Sequence, residues 1–226
     1  MTPIKDPIDF IRRETRIRPV PHAEEIRLHV ADEAMALWQK TEEDLGELGL
    51  APPFWAFAWA GGQGLARYIL DTPDLVRGRR VLDFACGSGL VGIAAMMAGA
   101  TSCHAVDIDP FALAAAGLNA ELNGVALSLE MADITASPPP DADIVFCGDV
   151  FYDRAMADKV TGLLDRLLER GTDVLVGDPG RSCLPKTRLT ELAVYNVPVV
   201  GALEDNEIKR TCVYRMKSEQ VLPEGR

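Results

Sequence analysis

The sequence predicts an α/β protein built on a Rossmann-like, doubly wound, seven-stranded sheet, mostly parallel with an antiparallel edge strand, plus an N-terminal helical extension. Three observations carry this. Short apolar runs alternate with helical stretches from residue 81 onward, the pattern of a parallel sheet with crossover helices. The first run, Val81-Leu82-Asp83-Phe84, leads through Ala85-Cys86 into the tight turn Gly87-Ser88-Gly89, and the second ends in an acid at Asp107. The last two strand candidates, near 192–200 and 210–216, have no helix between them, which predicts the antiparallel strand. Residues 1–50 read as the extension, 51–217 as the main domain and 218–226 as a frayed tail.

The elements follow in order. Residues 1–50 look helical, with apolar positions at Ile8, Ile11 and Ile17 and again at Ala34, Leu37 and Trp38. Between them Glu25-Ile26-Arg27-Leu28-His29-Val30 alternates as a strand or extended arm. Pro52-Pro53 breaks the chain before the aromatic run 54–59, in which Trp55 and Trp59 read as a lid over a flat ligand, with core packing as the alternative. A helical pattern follows Gly61-Gly62, with Leu65, Tyr68, Ile69 and Leu70 in phase. Helices are expected at about 90–98, 111–122 and 154–169, and strands around 127–131, 143–147 and 174–177. Pro138-Pro139-Pro140 marks a surface loop.

Composition narrows the function classes. Hydrophobic residues make up 48% of 226, enough for one sizeable core. The net charge of −11 argues against a nucleic-acid substrate, because such binding draws on neutralising phosphates. It favours a neutral or cationic partner. The five cysteines are scattered and form no CxxC pair, so they read as thiols of a reducing cytoplasm, with no metal site. No apolar run is long enough to span a membrane, and Asp6, Asp9 and Glu14 among the N-terminal arginines weaken a transit-peptide reading.

The glycine turn sets the ligand class. A dinucleotide loop needs G-x-G-x-x-G so that a pyrophosphate can sit on the helix N-terminus. Here Cys86 stands in place of the first glycine, and the Asp83 carboxylate would repel a pyrophosphate. The same carboxylate suits the α-ammonium of S-adenosyl-L-methionine. Gly87 and Gly89 let the backbone turn and approach a ligand closely. Asp107 can accept both hydroxyls of a ribose, Ile108 would cover one face of an adenine, and Asp133 beside Ile134 could accept from its exocyclic amine. The alternative is a plain strand-to-helix turn with acids as surface caps, which leaves their joint placement at strand ends unexplained.

The fourth strand ends in Asp149-Val150-Phe151-Tyr152-Asp153, so Asp149 and Tyr152 project towards the reacting end of such a ligand. Methyl transfer to an amine requires nucleophile, methyl and sulfur in line. It also requires a neutral amine, and a free lysine has a pKa near 10.4, which makes that form cost about 4–5 kcal/mol at neutral pH. Asp149 would orient the amine and receive its proton through water, and Tyr152 could line a narrow channel whose aromatic face attracts a cation. A helix cap is the structural alternative for Asp149, and simple packing for Tyr152. Gly177-Asp178-Pro179-Gly180-Arg181 ends the fifth strand on the same side and reads as an ordinary turn that could shape the mouth. His22, His29 and His104 do not cluster with acids or cysteines.

Taken together these residues resemble the seven-β-strand methyltransferases, within them the group with Asp-x-x-Tyr after strand four, here Asp149–Tyr152. The chain is similar to the electron transfer flavoprotein β-subunit lysine methyltransferases through Glu25–His29, Pro53–Ala56, Trp59–Gln63, Asp83–Gly89 and Gly148–Asp153. The resemblance implies methylation of lysines on the flavoprotein β subunit and places Trp59, Asp83, Gly87, Asp107 and Asp133 around the cofactor. Ala60 stands where relatives carry a proline. Two other readings stay open. One is methylation of another protein such as a ribosomal protein, since Asn119 and Asn123 resemble that group. The other is a binding module that keeps the fold without catalysis.

Overall fold

The protein is described by a computed structural model over residues 6–31, 52–199 and 208–218. The helical positions read at Ala34, Leu37 and Trp38, and the tail after Ser218, lie outside the described residues.

The N-terminal part departs from a helical extension. Helix α1 spans Pro7–Glu14, with Asp6 accepting from the Ile8 and Asp9 amides and Pro7 opening the first turn. It buries Phe10 and Ile11 and ends at Thr15. Strands β1 (Arg16–Val20) and β2 (Ala23–Val30) then pair as an antiparallel hairpin, so Ile17 belongs to a strand. Four of the five β1 residues are exposed, which leaves no alternation to read, and Pro19 is incompatible with a helix interior.

Helix α2 (Ala60–Asp71) follows a short turn at Phe54–Ala56. The main sheet is then laid down by β3 (Arg80–Phe84), α3 (Leu90–Met97), β4 (Ser102–Asp107), α4 (Pro110–Leu122) and β5 (Ser128–Met131). It is completed by β6 (Ile144–Gly148), α5 (Arg154–Glu169), β7 (Asp173–Asp178), β8 (Leu189–Pro198) and β9 (Ile208–Met216). Strand order is β5-β4-β3-β6-β7-β9-β8. The pairs from β5 to β7 are parallel, whereas β9 runs antiparallel between β7 and β8. The antiparallel strand therefore sits one place in from the edge.

Alternation on the central strands feeds two apolar layers. Val81, Ile144, Phe146 and Leu175 face α2 and α3, meeting Leu65, Ile69, Ile93 and Ala94. Leu82, Val145, Val174 and Val176 face α5, meeting Val160, Leu163, Leu164 and Leu167. The hairpin is fastened to α4 by two asparagines. Asn119 accepts from the His29 amide at 2.8 Å and donates to the Ser88 carbonyl at 2.8 Å. Asn123 accepts from the Arg27 amide and donates back to its carbonyl. The two asparagines thus tie the first hairpin to the sheet domain.

The N-terminus of α2 crosses directly over the ends of β6 and β7. A Cβ on Gly61 would lie 2.2 Å from the Gly177 carbonyl oxygen, and a Cβ on Gly177 would lie 2.2 Å from that of Gly61. Backbone passes backbone here with no side chain between. Gly177→Ala forces these segments apart, and overpacking of this kind costs about 1–3 kcal/mol. Its melting temperature should fall by several degrees in calorimetry, and an unchanged value would show that the crossing has slack.

Candidate active site

The glycine turn and the strand-end acids meet on one edge of the sheet. Asp107 ends β4, and its two carboxylate oxygens accept from the Gly87 amide at 2.9 Å and the Asp109 amide at 3.0 Å. Burial pushes its carboxyl upward, and those amides oppose the shift. Asp83 is buried on β3, where one carboxylate oxygen accepts from the Gly92 amide at 2.8 Å. Its pKa is pushed up to about 7, first by burial and then by Asp107, against the Gly92 bond.

The two glycines do different work. Gly87 holds φ +51° and has no atom within 4 Å of where a Cβ would stand, so the turn leaves open space beside the Asp107 carboxylate. Gly89 holds φ +77°, but a Cβ there would lie 2.9 Å from the Ala116 Cβ. Packing of α3 against α4 is what requires it. Ile108 stands 68% exposed next to Asp107, as a residue waiting to cover a flat ligand would. Beyond β5, Asp133 is exposed and accepts from the Thr135 amide and hydroxyl, while Ile134 is buried in the α5 layer. The donor set fits S-adenosylmethionine. Asp107 keeps lone pairs for a diol, the space at Gly87 admits a ligand edge, and buried Asp83 gains by facing a cation.

Asp149 follows β6 and takes a left-handed backbone, φ +59°, which Asp tolerates better than most residues. Its amide donates to the Gly177 carbonyl at 3.0 Å. One carboxylate oxygen accepts from the Gly62 amide at 3.1 Å, the other from Arg181 Nη2 at 3.0 Å. Its pKa is pushed up to about 6, chiefly by burial, with Arg181 pulling it down and Asp178 pushing it up. A cap for the following helix is excluded as the role of Asp149, because Asp153 caps α5 through the Met156 amide.

Arg181 was legible in the sequence only as part of a turn. The structure puts its guanidinium on Asp149 and 6.0 Å from the Trp59 ring centroid. Asp178 holds that loop by accepting from the Gly180 and Arg181 amides at 2.6 and 2.7 Å. Asp178 is fully buried, and its second oxygen has no hydrogen-bond partner among the described residues.

The two tryptophans part company. Trp55 does not form a lid. It is core, stacked on Phe111 at 6.2 Å and edge-on to Phe10. Trp59 is half-buried, donates from Nε1 to the Phe54 carbonyl at 2.8 Å and lies edge-on to Phe54 and Phe57. Phe54 also packs on Tyr152, ring centroids 5.9 Å apart, and both are partly exposed. Phe54, Trp59 and Tyr152 thus form an aromatic rim. The Phe54 member went unnoticed in the sequence because it shares its run with core residues.

Two outcomes follow for the ligand edge. Asp107→Ala removes acceptors from the turn and the diol, so affinity for S-adenosylmethionine should fall at least about tenfold by calorimetry. For Asp83 the folded value lies above that of an unfolded carboxylate. Its neutral form is therefore buried without penalty at low pH, and stability is lost as pH rises through about 7. Asp83→Asn should gain melting temperature over the parent at about pH 8.5 and show little gain at about pH 4. An equal difference at both would mean that folding leaves the Asp83 pKa unshifted.

Comparisons with known proteins agree on the class. The family model of ribosomal protein L11 methyltransferase (PrmA) matches residues 68–166. The electron transfer flavoprotein beta subunit lysine methyltransferase of Xenopus laevis is 40% identical over 178 residues, covering 78% of this chain and 71% of that one. The homolog of that enzyme in Caenorhabditis elegans is 33% identical over 219 residues, covering 85% and 88%. Among solved structures, SMU.776 complexed with SAH superposes with a TM-score of 0.56 at 13% identity, covering 89% of this chain and 56% of that one. That likeness bears on the fold, which is the methyltransferase sheet. With 40% and 33% identity over aligned stretches that cover most of both chains, the chain belongs to the electron transfer flavoprotein beta subunit lysine methyltransferase family.

Proposed function

We propose that this protein transfers methyl groups from S-adenosyl-L-methionine to lysines of the electron transfer flavoprotein β subunit. The observation that carries the reading is the 40% identity to the frog enzyme of that name across 71% of its length. The geometry supports it independently of the name. In this reading Asp83, Gly87, Asp107 and Ile108 hold one edge of the cofactor and Trp59 and Asp133 flank it, with Ile134 behind them in the α5 layer. Asp149 and Tyr152 follow β6, and Tyr152 joins Phe54 and Trp59 in an aromatic rim suited to a narrow cationic side chain.

The cofactor supplies an electrophilic methyl group: the amine lone pair forms the new N–C bond while sulfur keeps the electron pair of the broken C–S bond. The protein's part is binding and alignment. Asp149 is fixed by the Gly62 amide and by Arg181, so its carboxylate marks a rigid reference point for the amine. Phe54, Trp59 and Tyr152 exclude water from the entry and stabilise the methylammonium formed. The amine's proton leaves to solvent before attack.

The same reading sets compartment and partners. All five cysteines are free, four of them buried, which supports a reducing cytoplasm. No helix among the described residues is long and apolar enough to cross a membrane. The net charge of −11 supports a protein substrate over a nucleic acid. Residues 51–217 would form the methyltransferase domain, and 1–50 the segment docked on it through α1 and the β1–β2 hairpin. The binding-module alternative has little support beside the intact set of strand-end acids. A ribosomal protein as substrate draws on the match at residues 68–166, which is shorter than the match to the lysine methyltransferases.

Incubating the flavoprotein with this enzyme and S-adenosylmethionine should raise the intact mass of the β subunit by whole methyl units. Asp149→Ala should lower the rate at least about a hundredfold. An unmodified β subunit beside a methylated ribosomal protein would transfer the substrate assignment to the latter.

A further inference from the structure

The charges around Asp149 raise a problem that the lysine-methyltransferase reading does not answer by itself. A bare carboxylate beside a lysine holds the ammonium, and an ammonium has no lone pair to attack with. The reacting amine needs a site that orients it without stabilising its proton.

Arg181 meets that need. Its guanidinium donates to Asp149 at 3.0 Å and lies against Trp59, one of the three rings at the entry. The pair is largely enclosed, with side chains 22% and 10% exposed. The loop behind it is anchored, since Asp178 accepts from the Arg181 and Gly180 amides. An amine passing Phe54, Trp59 and Tyr152 therefore meets a carboxylate whose charge is already matched and a fixed cation next to it. A neighbouring cation is a known means of keeping a lysine amine neutral.

We propose that Arg181 is a positioning residue that neutralises Asp149 and so admits the substrate lysine as its free base. This rests on the reading of the protein as a lysine methyltransferase. Asp178 at the end of β7 acts on Asp149, and Tyr152 ahead of α5 feels Arg181 together with Asp153 and with Asp107 at the end of β4. Lys186 acts on Asp178 from the turn before β8. These acids favour the ammonium, which makes the Arg181 charge the opposing element at the entry. Before attack the ammonium gives its proton to water. The neutral amine then bonds to the methyl carbon, and the positive charge passes from sulfur to the product nitrogen.

The test is the pH profile of kcat with the flavoprotein β subunit, which reports groups in the enzyme–substrate complex, read beside cofactor affinity. In Arg181→Ala the acidic limb should move to higher pH by about one unit, a tenfold loss of rate near neutral pH that recovers in alkaline buffer. Arg181→Lys should keep the parental limb, because the cation remains. Calorimetric affinity for S-adenosylhomocysteine should stay within about twofold in both. A loss by the same factor at every pH would reduce Arg181 to a structural support and overturn the proposal. A gain in rate would overturn it too, by showing that the guanidinium competes with the amine for Asp149.

Two controls separate the claims. Parent enzyme that leaves the flavoprotein unmethylated refutes the substrate reading. Parent enzyme that methylates it, with profiles that superimpose in Arg181→Ala, refutes only the role of Arg181. A 13C titration of the Asp149 carboxyl serves without any substrate. The midpoint should rise from about 6 when Arg181 is removed, and a fixed midpoint sinks the ion pair on which the proposal stands.

Discussion

The crossing of α2 over the ends of β6 and β7 is the constraint on which the rest of the site depends. Gly61 and Gly177 approach so closely that neither can carry a side chain, and a Cβ on Gly148 would stand 3.1 Å from the Gly62 nitrogen. That contact brings the Gly62 amide onto Asp149. It also places Trp59, the residue that precedes α2, at the entry to the crevice. A helix held one side chain further from the sheet would leave Asp149 without its amide partner and move the rim away from the strand ends. The backbone of Asp149 is shaped by the same contact, since its amide bonds to the carbonyl oxygen that faces Gly61. Strain at a non-glycine residue with positive φ persists only where surrounding contacts determine it.

Electrostatics build on that frame. Asp83, Asp107, Asp149 and Asp178 all lie towards the same end of the parallel strands, and burial raises the pKa of each. Such a cluster costs stability in the free protein, because water is replaced by few partners and like charges face one another. The cost is offset in part by backbone amides, each acid taking at least one. What the acids gain in return is a crevice with a standing preference for cations. A ligand that carries positive charge at both its sulfur and its amino group recovers some of the energy spent on folding them inward.

How much of this could be read from the sequence depends on range. The glycine turn, the acids of β3 and β4 and the Asp-x-x-Tyr element are local patterns, because a strand, a turn and a helix follow one another within a dozen residues. They place Asp83, Gly87, Asp107 and Asp149 at strand ends without any tertiary information. Arg181 and Asp149 lie 32 residues apart, and nothing in Gly180-Arg181-Ser182 distinguishes a partnered arginine from a turn. The aromatic run 54–59 was opaque for another reason. Adjacent rings point in opposite directions, so Trp55 enters the core while Phe54 and Trp59 face the crevice. The β1 strand hid its nature because most of it is exposed, and Asn119 and Asn123 looked like a functional signature while they tie a hairpin to a helix.

An enzyme that moves a methyl group from a cation to an amine has to treat two positive charges differently. It must welcome the one on the donor and refuse the one on the acceptor. A uniformly acidic crevice does the first and fails at the second, since every carboxylate that attracts a lysine also strengthens its hold on a proton. Separation in space solves this. Asp83 and Asp107, at β3 and β4, have no basic side chain among their hydrogen-bond partners in the described residues. Asp149, two strands over from β4, comes with an arginine attached. The strand order of the sheet thus keeps the attractive field and the balanced one apart, in a crevice where both reactants must nevertheless touch.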